Sequence, residues 1–161
     1  VVPLRRLLPA LAAGFVLALL PLGGGALAAT SPGANGDIAY VHGGMDIQFV
    51  NSATVIAGMI DPSWSPDGKQ LAFTTAVGHA IETCQVSACV AQAVAGATPG
   101  RSPVWSPDGG MLAYVSDTDN QIHTIKVSDA TSDVAVVAGS DPTWNPDGTK
   151  IAYTSGGQVV T

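Results

Sequence analysis

Three segments of the chain align without gaps: Asp61-Pro-Ser-Trp-Ser-Pro-Asp-Gly-Lys-Gln-Leu-Ala-Phe-Thr74, Ser102-Pro-Val-Trp-Ser-Pro-Asp-Gly-Gly-Met-Leu-Ala-Tyr-Val115 and Asp141-Pro-Thr-Trp-Asn-Pro-Asp-Gly-Thr-Lys-Ile-Ala-Tyr-Thr154. Their tryptophans, Trp64, Trp105 and Trp144, fall 41 and 39 residues apart. A degenerate fourth copy, Gly36-Asp-Ile-Ala-Tyr40, lacks the tryptophan half. A fixed period of about 40 residues marks an array of one supersecondary unit, each copy burying apolar surface against the next.

Local chemistry says which unit it is. In Ser65-Pro66-Asp67-Gly68 the proline presets φ at the second turn position, Asp67 can bond its own backbone, and Gly68 tolerates positive φ. That is a tight connection between antiparallel strands. After it, Leu71 and Phe73 alternate with Ala72, as Ile151 and Tyr153 do with Ala152. A period of two puts the large residues on one sheet face and alanine on the other, where a neighbouring sheet can approach closely. Trp64, Trp105 and Trp144 are then core residues between sheets, each indole N–H needing a partner; a stacking platform for sugars or bases is the functional alternative. The fold class is therefore all-β, with four-stranded antiparallel β-propeller blades.

The strand pattern places blade one at 62–65, 70–75, 79–85 and 89–95, and blade two at 102–106, 111–116, 121–127 and 133–138. Blade three has 142–145, 150–154 and 158–161, and the opening copy has 37–41, 46–50 and 53–57. Two complete and two partial blades fall short of the usual four to eight. The expectation is an incomplete propeller in a C-terminally incomplete chain. If the polypeptide ends at Thr161, self-association is expected to close the ring.

The motif Trp-Ser-Pro-Asp-Gly-x-x-Ile/Leu-Ala-Phe/Tyr resembles the WD40-like repeat of TolB-type β-propellers, which also occurs in the propellers of prolyl-oligopeptidase-like proteases. Asp117-Thr-Asp-Asn-Gln-Ile122 is similar to that family's turn into the third strand. The likeness runs from about residue 36 to 161, with Gly110 and Asn145 as mild departures at polar and serine positions. It implies a scaffold that binds a protein or cell-envelope component. It also implies a rival, in which the chain is the propeller portion of an exported serine peptidase with its hydrolase domain elsewhere. A module of a larger surface protein is a third possibility.

The N-terminus reads as an address. Arg5 and Arg6 precede the apolar Leu7–Leu20, then Pro21, Gly23–Gly25 and the small residues Ala26-Leu27-Ala28. Residues 1–28 are thus expected to be a secretory signal peptide, with the repeats occupying 29–161, and the location periplasmic or secreted. An uncleaved leader is the one expected route to a membrane. Losing its two arginines takes the net charge from −6 to −8, which disfavours a nucleic-acid partner.

Candidate sites are few. Cys84 and Cys89, five apart in an exported chain, read as a disulfide, with free thiols as the alternative. Asp117, Asp119 and Asn120 lack the glycine and distal glutamate of a calcium loop and read as a hairpin turn. His42, His79 and His123 stand singly, without zinc spacing, so no metal and no cofactor are expected. No Gly-x-Ser-x-Gly elbow occurs, and no catalytic residue is assigned. Contacts are expected at the channel entrance, just before each first strand, at Asp61, Arg101, Ser102 and Asp141.

Overall fold

A computed structural model describes residues 37–161. The leader assigned to residues 1–28 lies outside the described residues. The opening sheet consists of β1 (Ala39–His42), β2 (Asp46–Phe49) and β3 (Ser52–Ala57). Blade one has β4 (Met59–Trp64), β5 (Gln70–Thr75), β6 (Ile81–Gln85) and β7 (Gln92–Ala93). Blade two has β8 (Gly100–Trp105), β9 (Met111–Ser116), β10 (Gln121–Lys126) and β11 (Val134–Ala138). Blade three has β12 (Ser140–Trp144), β13 (Ile151–Ser155) and β14 (Gln158–Val160).

Each sheet is an antiparallel meander in chain order. The first strands β4, β8 and β12 touch one another in series and form the inner side of the fan. In the opening sheet β1 takes the place of a second strand, which leaves its inner edge without a partner among the described residues. This is the arrangement of a partial β-propeller.

The alternation read from the sequence builds the core. Ala72 on the leading face of blade one is fully buried against Trp105, Leu112, Tyr114 and Ile125 of blade two. Ala113 of blade two packs in turn with Trp144, Ile151 and Tyr153 of blade three. Between the opening sheet and blade one, Ile47 and Phe49 meet Leu71, Phe73 and Trp64, with the Phe49 and Trp64 rings edge-on at 5.9 Å. Ile38 and Tyr40 occupy the positions of Leu71 and Phe73 in the opening sheet; with no preceding sheet described, they are exposed.

The three Pro-Asp-Gly turns share one hydrogen-bond pattern. The amide of Gly68 donates to the Ser65 carbonyl at 2.9 Å, and Gly68 has φ +68°. Asp67 Oδ1 accepts from the Ser65 hydroxyl and the Lys69 amide, while Ser65 Oγ accepts from the Gln70 amide. Ser106 and Asp108 repeat this in blade two. In blade three Asn145 Oδ1 does the serine's work, accepting from the Lys150 amide at 2.8 Å. The carboxyls of Asp67, Asp108 and Asp147 are held below the usual carboxylate range chiefly by a hydroxyl donor, from Ser65, Ser106 and, in blade three, Thr149.

Candidate functional site

The tryptophans lie between sheets. Trp105 Nε1 donates to the Ser63 carbonyl at 3.2 Å, and Trp144 Nε1 to the Val104 carbonyl at 3.3 Å. Each indole thus bonds the first strand of the preceding blade, one residue before that blade's own tryptophan. Cys84 and Cys89 are joined in a disulfide, with Cα atoms 5.0 Å apart, closing a loop that contains the 3₁₀ turn Val86–Ala88.

The four channel-entrance residues lie inside the first strands rather than before them. The sequence pattern starts those strands at Pro62, Ser102 and Pro142, whereas they begin three residues earlier in blade one and two residues earlier in blades two and three. Each strand carries an irregularity at that point: the register shifts between Ile60 and Ser63, between Arg101 and Val104, and between Ser140 and Thr143. Asp61, Ser102 and Asp141 have φ of 54°, 54° and 53°, a left-handed conformation that short polar side chains tolerate best. Asp61 Oδ2 then accepts from the Ser102 amide at 3.0 Å, so one blade's bulge caps the next. Asp141 accepts from the Ser140 hydroxyl at 2.8 Å.

Arg101 turns away from the bulge toward the β9–β10 turn. Its guanidinium donates to Asp117 Oδ1 and, at 2.8 Å, to Asn120 Oδ1. Asp117 Oδ2 also accepts from His79 Nδ1 of blade one at 2.5 Å. Asp117 is therefore shared between two blades. Partial burial raises its carboxyl, but the bonds from His79 and Arg101 outweigh that and hold it below the usual range. Beside this clasp, at the junction of blades two and three, a groove of about 360 Å³ is lined by Arg101, Asn120, Ser140, Thr154, Gly156 and Gly157 among others. At the opposite end, a cleft of about 330 Å³ separates the turns of Pro66-Asp67 and Pro107-Asp108.

A second polar cluster escapes sequence reasoning. His123 on β10 is 8% exposed. Its Nδ1 lies 3.0 Å from Asp133 Oδ2, and its Nε2 lies 3.1 Å and 3.2 Å from the two oxygens of Asp119. Tyr114, opposite it on β9, donates its hydroxyl to Asp133 Oδ1 at 2.7 Å and accepts from the Thr98 amide at 3.0 Å. Burial is the main cause that pushes the Tyr114 phenol up to about 12. Burial also works against a charged His123, but its hydrogen bonds to the two carboxylates prevail and its pKa is raised. The usable signal was a Tyr–His pair in blade two where blade one has Phe73 and Glu82. Among the described residues no group of three or more potential metal ligands gathers.

No protein-family model and no curated protein sequence matches the chain. Solved structures do. A protein described as TolB from Agrobacterium tumefaciens superposes with TM-score 0.57 at 20% identity, over 73% of this chain and 48% of that one. TolB from Acinetobacter baumannii gives TM-score 0.57 at 23% identity, over 73% of this chain and 34% of that one. The β-propeller domain of the Trilobed protease from Pyrococcus furiosus, which has an open velcro topology, gives 0.51 at 21% identity, over 66% and 38%. The chain thus spans less than half of each of these structures, and it shares their TolB-like β-propeller fold.

Proposed function

We propose that the protein is an extracytoplasmic, non-catalytic propeller scaffold that binds a protein or cell-envelope component at the end carrying Arg101, Asn120 and Ser140. The observation that carries this reading is the groove at the blade two–blade three junction. Rigid strands there hold a guanidinium, an amide and several hydroxyls at the rim of a recess, with glycine backbone exposed at Gly156 and Gly157. Such groups satisfy the amides and carbonyls of a polypeptide, and loops displayed on a fixed scaffold are where binding concentrates.

A photoreactive residue placed at Thr154 in the native protein tests this. The expected outcome is a discrete crosslink to one envelope component, lost in Arg101→Ala and absent when the photoreactive residue replaces Asp67 at the opposite end. Crosslinking that is equal from both ends, or indifferent to Arg101, overturns it. The likeness to the propeller domain of a protease supports a second reading, the gating propeller of an exported serine peptidase. Labelling of the native polypeptide by a fluorophosphonate probe, on a segment beyond Thr161, decides for that reading.

A further inference from the structure

Both ring nitrogens of His123 face carboxylate oxygens, at 3.0 Å for Asp133 and at 3.1 Å and 3.2 Å for Asp119. An ionised carboxylate offers acceptors only, so each contact is a hydrogen bond only while the facing nitrogen carries a proton. The geometry therefore requires an imidazolium. The titratable groups around it are Asp119 from the β9–β10 turn, Asp133 from the β10–β11 connection and Tyr114 from β9, while the linker between blades contributes the neutral Thr98.

The two carboxylates are not equivalent. The Asp119 side chain is 34% exposed and Asp133 only 14%. Asp133 also accepts the Tyr114 hydroxyl, which stays protonated throughout the physiological range. His123 is the one donor that meets Asp133 Oδ2 among the described residues, and losing it inside costs more than losing a donor at the outer Asp119, which keeps the Gln121 amide and faces water. Deprotonation therefore falls on Nε2, the proton passing to solvent, and Nδ1–H stays with Asp133.

Asp119 belongs to the same turn as Asp117, which clasps His79 and Arg101, and Asn120, which accepts from Arg101. Asn120 takes the left-handed φ of +58° that closes the turn, a conformation asparagine adopts readily. We propose that protonated His123 locks the Asp117–Asn120 turn, and that loss of the Nε2 proton as pH rises releases the turn and loosens its bonds to Arg101 within blade two and to His79 of blade one. His79 of blade one meets Asp117 in the same turn.

The test is a titration of the full chain by NMR, following the imidazole nitrogens of His123 together with hydrogen exchange of the 117–121 amides, corrected for the intrinsic pH dependence of exchange. The expected result is a His123 transition above the ordinary histidine value of about 6.5. Nε2 should lose its proton while turn protection falls at least tenfold over the same range, and the 106–111 turn should not change. The transition should persist in His79→Gln. In Asp119→Asn it should shift down, and the turn's protection should become independent of pH. A transition at or below 6.5, proton loss from Nδ1, turn protection constant through the titration, or disappearance of the effect in His79→Gln would each overturn the proposal.

Discussion

Blades one and two are built on the same frame, yet different chemistry closes the frame in each. Their central strands superpose residue for residue: Leu71 pairs with Cys84 where Leu112 pairs with Ile125, and Phe73 pairs with Glu82 where Tyr114 pairs with His123. In blade one the third strand ends in a disulfide, and the fourth shrinks to Gln92–Ala93. In blade two no bond is covalent; the Tyr114, Asp133, His123 and Asp119 network ties the third strand to its flanking turns, and the fourth strand is five residues long. The lesson is that the repeat specifies strands and turns but leaves the outer connection open. Each blade then fills that opening with whatever local closure its own residues permit.

The largest effect is expected where the two blades differ at the entry to the first strand. Gly100 and Gly139 sit opposite Ser116 and next to Thr154's pairing position, and Met59 holds the equivalent place in blade one. A methyl group on Gly100 would fall 2.4 Å from the Val115 carbonyl oxygen and 2.7 Å from the Tyr114 ring. Backbone cannot yield that much without moving the strand pair. Gly100→Ala should therefore destabilise by about 3 kcal/mol or more by denaturant unfolding, at the upper end of overpacking costs. Met59→Ala, which removes a partly buried side chain, should cost less than that. If the two variants cost the same, the blades do not differ at this position in the way the contacts imply.

How much of this was legible beforehand follows from the range of each interaction. The strands, the Pro-Asp-Gly turns and the sheet faces rest on period-two alternation and on bonds within six residues, such as Ser65 to Gln70, so the local sequence contains them. The fourth strand of blade one was expected over 89–95 but covers only Gln92–Ala93. The disulfide holds Cys89 at the end of its loop, and only Gln92 and Ala93 pair with the third strand. The bulges at Asp61, Ser102 and Asp141 leave the faintest trace, a short polar residue before proline. The His123 network was illegible for another reason: its partners come from two turns and an interblade linker, and only the fold brings Thr98 to within 3.0 Å of Tyr114.

Removing the covalent closure should have an intermediate effect. Opening the loop between Cys84 and Cys89 restores little chain entropy because the loop is short, and the entropic model gives about 2 kcal/mol. Cys84→Ser with Cys89→Ser should lower unfolding stability by about that amount and raise hydrogen exchange in β6 and β7, while β10 and β11 keep their protection. Spread of the loosening into blade two would mean that the closures are coupled rather than local.

The smallest effect should be a gain. Thr74 is fully buried on β5 and its hydroxyl finds no hydrogen-bond partner among the described residues, whereas the equivalent residue of blade two is the buried Val115. A buried, unbonded hydroxyl costs free energy that a methyl group of the same shape does not. Thr74→Val copies blade two into blade one at nearly constant volume and should stabilise by about 1 kcal/mol, read as a higher denaturant midpoint at unchanged slope. The reciprocal Val115→Thr places a hydroxyl in the apolar cluster with Ala113, Ile122 and Trp144 and should destabilise by a similar amount. Opposite signs at equivalent positions would show that blade two carries the better-satisfied core of the pair. A loss of stability in Thr74→Val would instead mean that its hydroxyl is bonded, and that blade one uses the threonine for a contact blade two does without.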